Sequence, residues 1–324
     1  METKPENLIG DISYLEIVND KIYILDKKSN AIYIYTTTGK FLKKIYAVGT
    51  GPDEYIKLYS MYLSPVHNYI LTYCNQLKKI IFYDLDGNFL GAKNIGFWVK
   101  DFSLLESGQF SYYVNNEYNL GNLILTNNEL VPIKKGIKGK YNDTKGLNFY
   151  QYRPFIKDYK NSKLIMPTLL DTLYQFDLTS SSAKYALNYG KKRIPKEYFF
   201  LDYNSFCQKI ENENFYYSMG SYFETNDLVG FSIGEKKVLN SFLYSKKSKH
   251  IYFGKLLDSN TGLEIPFPEY SRTSQPLSYL FPDQLLNYYA NCNGHDLPNN
   301  FKQLCKSLKK YDNPVILVLD FKAF

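Results

Sequence analysis

The stretch IYILDKKSNAIYIYTTTGKFL, residues 22–42, is answered 48 residues later by ILTYCNQLKKIIFYDLDGNFL, residues 70–90. At that offset Ile22 meets Ile70, Ile32 meets Ile80, Tyr35 meets Tyr83, Gly39 meets Gly87, and Phe41-Leu42 meets Phe89-Leu90. Each unit reads as strand, polar turn, strand, tight turn with glycine, strand. Asp86-Gly87 is a two-residue hairpin signal, because glycine accepts the positive φ that such turns demand. Fainter copies follow. Asp177 in LIMPTLLDTLYQFD (164–177) stands 93 residues after Asp84, residues 110–130 pair FSYYV with NLILT, and residues 215–233 pair FYYSM with LVGFSI. IYFGKLL (251–257) reads as the opening of a last unit. Six hairpin-centred units spaced by about 45 residues match four-stranded propeller blades. The expectation is an all-β fold, a six-bladed β-propeller of four-stranded blades, with residues 1–324 as one domain. A β-sandwich is the structural rival.

Composition agrees with strands. The 324 residues include 33 Tyr and 22 Phe against 1 Trp and 4 Met, and ring-bearing side chains fit a pleated, half-buried surface. The net charge of +7 comes from scattered lysines rather than one block. Lysines on strand edges discourage pairing between molecules, whereas nucleic-acid binding needs a concentrated basic face; no nucleic-acid partner is expected. No run approaches the roughly 18 apolar residues of a membrane span. Cys74, Cys207, Cys292 and Cys305 contain no C-x-x-C pair, too few and too scattered for a disulfide scaffold.

One stretch departs from the strand pattern. FPDQLLNYYANC and LPNNFKQLCKSLKK, within 281–310, have helical spacing, with Leu304 and Leu308 on one face and Leu297-Pro298 as an entry. This predicts a helical insertion in the final blade. VILVLDF (315–321) then reads as an apolar strand, part of a closing strand at 315–322 that pairs beside strands from the N-terminus.

The GTGPDEY segment (49–55), which directly follows the first repeat, resembles one carried at that place by six-bladed β-propeller lipoproteins of Bacteroidetes-type bacteria, themselves distantly similar to NHL-repeat propellers. KIYILDKKSNAIYIY (21–35), Asp171-Thr172-Leu173-Tyr174 and Asp312-Asn313-Pro314-Val315 extend the resemblance along nearly the whole chain. The resemblance implies a periplasmic or cell-surface protein tethered through a lipidated cysteine, and it brings no biochemical activity. Met1-Glu2-Thr3 stands where the family shows a Pro-Leu-Glu-Thr strand end, so a leader and the lipid-bearing cysteine are expected upstream. Membrane contact is then expected only through that anchor.

Candidate chemistry is sparse. GTGPDEY is no phosphate loop, since it lacks the Gly-Lys-Ser/Thr that opens a helix and brings two carboxylates instead. It reads either as a turn between blades, with Pro52 stiffening it, or as a segment placing Asp53, Glu54 and Tyr55 at a mouth of the central channel. Cys292, His295 and Cys305 make a C-x2-H-x9-C pattern that fits no standard zinc site. Asp84-Leu85-Asp86-Gly87 lacks the distal glutamate of a calcium loop. Only three histidines are present and no G-x-S-x-G elbow. No metal, cofactor or catalytic residue is assigned. Aromatic and arginine residues in the connections, namely Trp98, Tyr152, Arg153 and Arg272, suit recognition, because flat rings bury area at low entropy cost and guanidinium binds anions with paired hydrogen bonds. Trp98 has a second reading as filling between blades. Two functions follow: a non-catalytic cell-envelope binding module for a protein, peptide or glycan, and a metal-dependent hydrolase or lyase with its site in the channel.

Overall fold

A computed structural model of the chain describes residues 1–114, 123–136, 156–159, 162–166, 169, 171–236, 238–268, 275–292 and 297–322. Five four-stranded antiparallel sheets succeed one another, each a meander whose spatial order is its chain order. The first holds β1 (Tyr14–Val18), β2 (Lys21–Asp26), β3 (Ala31–Thr36) and β4 (Phe41–Ile45). The second holds β5 (Leu58–Ser64), β6 (Tyr69–Cys74), β7 (Lys79–Asp84) and β8 (Phe89–Asn94). The third runs β9 (Asp101–Leu104), β10 (Phe110–Tyr113), β11 (Leu123–Thr126) and β12 (Pro132–Gly136), and the fourth β13 (Ile156–Tyr159), β14 (Ser162–Ile165), β15 (Thr172–Phe176) and β16 (Ser181–Ala186). Helix α1 (Tyr203–Asn212) precedes the fifth sheet, β17 (Tyr216–Glu224), β18 (Leu228–Glu235), β19 (Val238–Ser245) and β20 (Ile251–Gly254).

The repeat seen in the sequence is a repeat of backbone geometry. Gly39 and Gly87 both adopt left-handed backbone, with φ of 85° and 78°. Immediately beyond each turn the register slips by one residue, so that Tyr35 faces Phe41 and Tyr83 faces Phe89. Both cross-strand pairs pack edge to face, at 5.5 and 6.1 Å between ring centroids. Asp84 and Asp177 also share a task. Asp84 accepts the amides of Asp86 and Asn88, and Asp177 those of Thr179 and Ser180.

The first strands of successive sheets lie side by side, β1 by β5, β5 by β9 and β9 by β13, so the sheets radiate from a common axis as propeller blades do. Their faces meet in hydrophobic seams. Tyr14, Leu25 and Ile34 pack on Leu58, Ile70 and Ile81 between sheets one and two. Leu71 and Ile80 meet Phe102 and Ile124 between two and three, and Leu123 and Leu125 meet Ile165 and Phe176 between three and four. Leu164 and Leu173 meet Val229 and Phe231 between four and five. Tyrosine is abundant because it serves both parts of a seam: the ring fills it and the hydroxyl reaches a neighbouring carbonyl. Tyr23 donates to Leu85 O at 3.0 Å, Tyr62 to Leu104 O at 3.1 Å, and Tyr222 to Leu164 O. Burial pushes the Tyr23 and Tyr55 hydroxyls up to about 12, and raises Tyr35 and Tyr83 further still.

Among the described residues five four-stranded blades are present, not the expected six. The apolar run Ile251–Gly254 is the outer strand of the fifth sheet, paired to Ser241–Tyr244, rather than the opening strand of a sixth. After it, among the described residues, come two two-stranded pairs, β21 (Leu256–Leu257) with β22 (Glu264–Ile265), and β23 (Leu277–Leu280) with β24 (Val315–Val318). Pro266, Pro268 and Pro276 lie between them, and proline supplies no donor to a ladder. Helices α2 (Pro282–Asn291) and α3 (Asn299–Ser307) fall inside the stretch expected to be helical. The apolar strand at 315–318 pairs with β23, not with N-terminal strands.

The circle is nevertheless completed. Leu256 and Phe267 pack against Phe223 of sheet five, where Phe321 stacks at 5.4 Å. Leu277 and Tyr279 pack against Ile12, just ahead of β1, and against Leu15 and Tyr33 of sheet one. A buried amide joins the ends: Asn313 Oδ1 accepts the Ile9 amide at 2.8 Å, while Nδ2 donates to Glu2 O at 2.8 Å and Asn7 O at 3.0 Å.

Candidate functional site

In a meander, the link entering a sheet, the turn between its second and third strands, and the link leaving it all fall at one end of the strands. The contacts bear this out. Asn30, in the β2–β3 turn, donates to Ile56 O at 2.9 Å in the link between sheets one and two and accepts the Leu58 amide at 2.8 Å at the start of β5. Lys79, beside the β6–β7 turn, donates to Gly51 O at 2.7 Å, and Tyr73 reaches Phe97 O at 3.1 Å in the next link. One rim thus carries the long connections, including α1. Loops held on a rigid scaffold are where binding residues concentrate.

The residues singled out in the sequence lie in such connections but do not converge. Tyr55 is fully buried in the seam between sheets one and two. Its hydroxyl donates toward Asn30 O (3.1 Å) and Ile45 O (3.2 Å) and accepts the Ala47 amide (3.2 Å). Glu54 folds back to accept the Gly51 amide at 2.8 Å, and a side chain at Gly49 would run into this carboxylate. Asp53 is exposed. Trp98 is 43% exposed, with the Lys78 ammonium 5.6 Å from its ring centroid; it is a rim side chain rather than filling between sheets. Tyr152, Arg153, Arg272 and His295 lie outside the described residues.

Two features of the rim escape the sequence reading. The first is the excursion at 190–215, where Phe199, Phe206 and Ile210 form their own small core and leave Phe200 65% and Tyr203 49% exposed. Asp202 caps α1 by accepting the Ser205 amide at 3.0 Å; an Asp followed by Phe206 and Ile210 at i, i+4 spacing was the available signal. The second is the polar lining near the axis. The first strands bury Glu16, Ser60, Asp101, Ser103 and Ser218, and Lys163 of the fourth sheet crosses to the Tyr62 hydroxyl of the second at 2.8 Å. That bond joins sheets that are not neighbours, so side chains meet across the axis at its depth. At the outer end of β17, Glu224 takes the ammoniums of Lys184 and Lys246, each at 2.7 Å, tying sheets four and five.

Among the described residues no three His, Cys, Asp or Glu side chains stand together as a metal site, and no helix is long and apolar enough to cross a membrane. Cys292 and Cys305 are free thiols.

Radial antiparallel sheets, tyrosine-stapled seams and one loop-bearing rim define a β-propeller. The chain belongs to the family called domain of unknown function DUF4934, which matches residues 1–320. No curated protein matches it in sequence. Among solved structures it is similar to a Bacteroides fragilis protein whose name calls it exported, at 18% identity and a TM-score of 0.85, covering 100% of this chain and 94% of that one. It is also similar to a member of the DUF4221 family from Bacteroides vulgatus, at 14% identity and a TM-score of 0.51, covering 76% of this chain and 82% of that one. These likenesses establish the fold.

Proposed function

We propose that this chain is an exported, non-catalytic binding propeller that holds a protein, peptide or glycan partner on its loop-bearing rim, in the periplasm or at the cell surface. The observation that carries the reading is the rim itself: rigid sheets below, and above them connections presenting exposed aromatics, Trp98 with Lys78 across its ring foremost. An aromatic face with an adjacent cation suits the stacking and hydrogen bonding by which sugars and peptides are held. The whole-length likeness to a Bacteroides protein whose name calls it exported supports the location, as does the lipoprotein resemblance of the GTGPDEY segment.

A metal-dependent hydrolase or lyase in the channel is the second reading, favoured by the buried carboxylates Glu16 and Asp101 on two first strands. Glycan and peptide arrays probed with the purified chain separate the two. The binding reading expects a defined set of captured structures, weakened at least tenfold by W98A and indifferent to chelator. Chelator-sensitive turnover of any array member would replace it.

A further inference from the structure

β24 consists wholly of Val315, Ile316, Leu317 and Val318, yet none of the four is buried and Val318 is 52% exposed. β11, a Leu-Ile-Leu-Thr strand of the same length, is buried at every position. What β24 lacks is a neighbour. β23 pairs with one side, and among the described residues nothing pairs with the other.

The register shows which backbone groups this leaves open. Leu317 stands opposite Ser278, and the Leu319 amide donates to Pro276 O at 2.9 Å. Bonded positions alternate along an antiparallel ladder, so Val315, Leu317 and Leu319 turn their N–H and C=O groups toward β23. Those of Ile316 and Val318 point the other way. β21 repeats the pattern. The Asp258 amide donates to Leu263 O at 2.9 Å, so Leu256 bonds to β22, opposite Ile265, and Leu257 turns its backbone outward.

Both strands wall one groove of about 1180 Å³. Every residue from 315 to 322 lines it, odd and even positions alike, so the groove runs along the edge of β24 rather than over one face. Leu256 and Leu257 line it from β21, and Leu263, Leu285, Phe301 and Leu304 add apolar wall. Two properties choose the occupant. Open backbone donors and acceptors are a template for another strand, whereas a purely apolar ligand would shut them off from water unpaired. The 258–261 turn and the start of α3 also line the groove, and such walls admit a single extended chain more readily than the broad face of a second copy.

We propose that this groove takes an extended segment of a partner protein, alternating apolar and polar side chains, as a strand added to β24. Its backbone pairs with that of Ile316 and Val318, and every second side chain enters the apolar wall at Leu285 and Phe301. The added strand continues the ladder that β23 begins. The site goes beyond the rim reading, since Trp98 lies in the link between sheets two and three.

Fluorescence anisotropy of the full chain with labelled, end-blocked heptapeptides tests it, with Val, Leu, Ile or Phe at the second, fourth and sixth places and Ser or Thr elsewhere. At least one member is expected to bind. N-methylation of its alternate amides, in at least one of the two phases, should weaken binding at least tenfold while every side chain is kept. V318P, which removes an outward N–H that β23 does not use, should do the same, and W98A should change nothing. On the unaltered chain, hydrogen exchange at the Ile316 and Val318 amides should slow at least tenfold under saturating peptide; unchanged exchange overturns the site without any variant. No binding by any member, or binding indifferent to N-methylation in both phases, also overturns it. So do laurate bound where every peptide fails, which gives the groove to an apolar ligand, and a dimer lost in V318P with no peptide bound, which gives the edge to a second copy. Peptide binding lost in W98A and kept in V318P belongs to the rim and removes the groove site alone, whereas groove binding with no W98A-sensitive array partner removes the rim reading alone.

Discussion

The first two sheets and the C-terminal stretch solve the same problem differently. Sheets one and two are near copies, each a complete meander with the same glycine turn, register slip and aromatic pair. The described residues of 256–322 form two-stranded pairs and two helices, yet they occupy the gap between sheets five and one through seams on both sides. A seam needs a matching apolar face and a few satisfied polar groups; it does not need a full ladder behind it. Complete sheets draw stability from backbone pairing, while the closing segment leans on single side chains.

That contrast orders the expected effects of substitution. N313A should be the most damaging, about 3–5 kcal/mol in denaturant unfolding, because it strands several buried backbone groups at once. An equal loss from removing one side-chain hydrogen bond inside sheets one or two would break the comparison. G87A comes next at about 1–3 kcal/mol, since the left-handed backbone is strained for any other residue and the new carbon would stand 3.0 Å from Ile45. G39A, at the equivalent turn, should cost a similar amount. Y23F should cost about 1–2 kcal/mol by leaving Leu85 O unpaired in a buried seam. Y279F, whose bond to Ile12 O is longer at 3.3 Å and only partly buried, should cost about half that. W98A should stay within about 0.5 kcal/mol in stability, whatever it does to binding.

Alkaline titration sharpens the same picture. Folding raises the Tyr23 and Tyr55 hydroxyls from 10 to about 12, so the native state holds these protons more tightly than the unfolded chain. Their contribution is whole below pH 10 and is lost as pH rises through about 12. Thermal melts should therefore fall steeply between those values, and Y23F should flatten the fall. A melting temperature unchanged from pH 9 to 12 would contradict the buried-hydroxyl account.

The fold was legible wherever the chain repeats itself. Gly39 and Gly87, with Tyr35–Phe41 and Tyr83–Phe89 beside them, announce a hairpin unit, and tyrosine abundance announces strands. The count was not legible, because Ile251-Tyr252-Phe253 is an exposed outer strand whose apolar composition reads like an inner one. Helix α1 was missed because its apolar positions, Phe206 and Ile210, serve a small local core and show no long periodic face. The rim was foreseeable as a place for loops, but the fate of each residue was not. Tyr55 and Glu54 look as available as Asp53 until the backbone shows that one is core and the other a latch within its own turn.

The Asn313 latch also sets a timetable. Its partners Glu2, Asn7 and Ile9 lie more than 300 positions before the amide that binds them. Contacts of such span form late and slowly. As the chain folds, the early sheets can dock on one another as an open arc, but the outer face of sheet one stays uncovered until the segment carrying Asn313 is in place. A chain truncated short of residue 313 would present that greasy face to its surroundings, so aggregation of truncated forms should begin at sheet one.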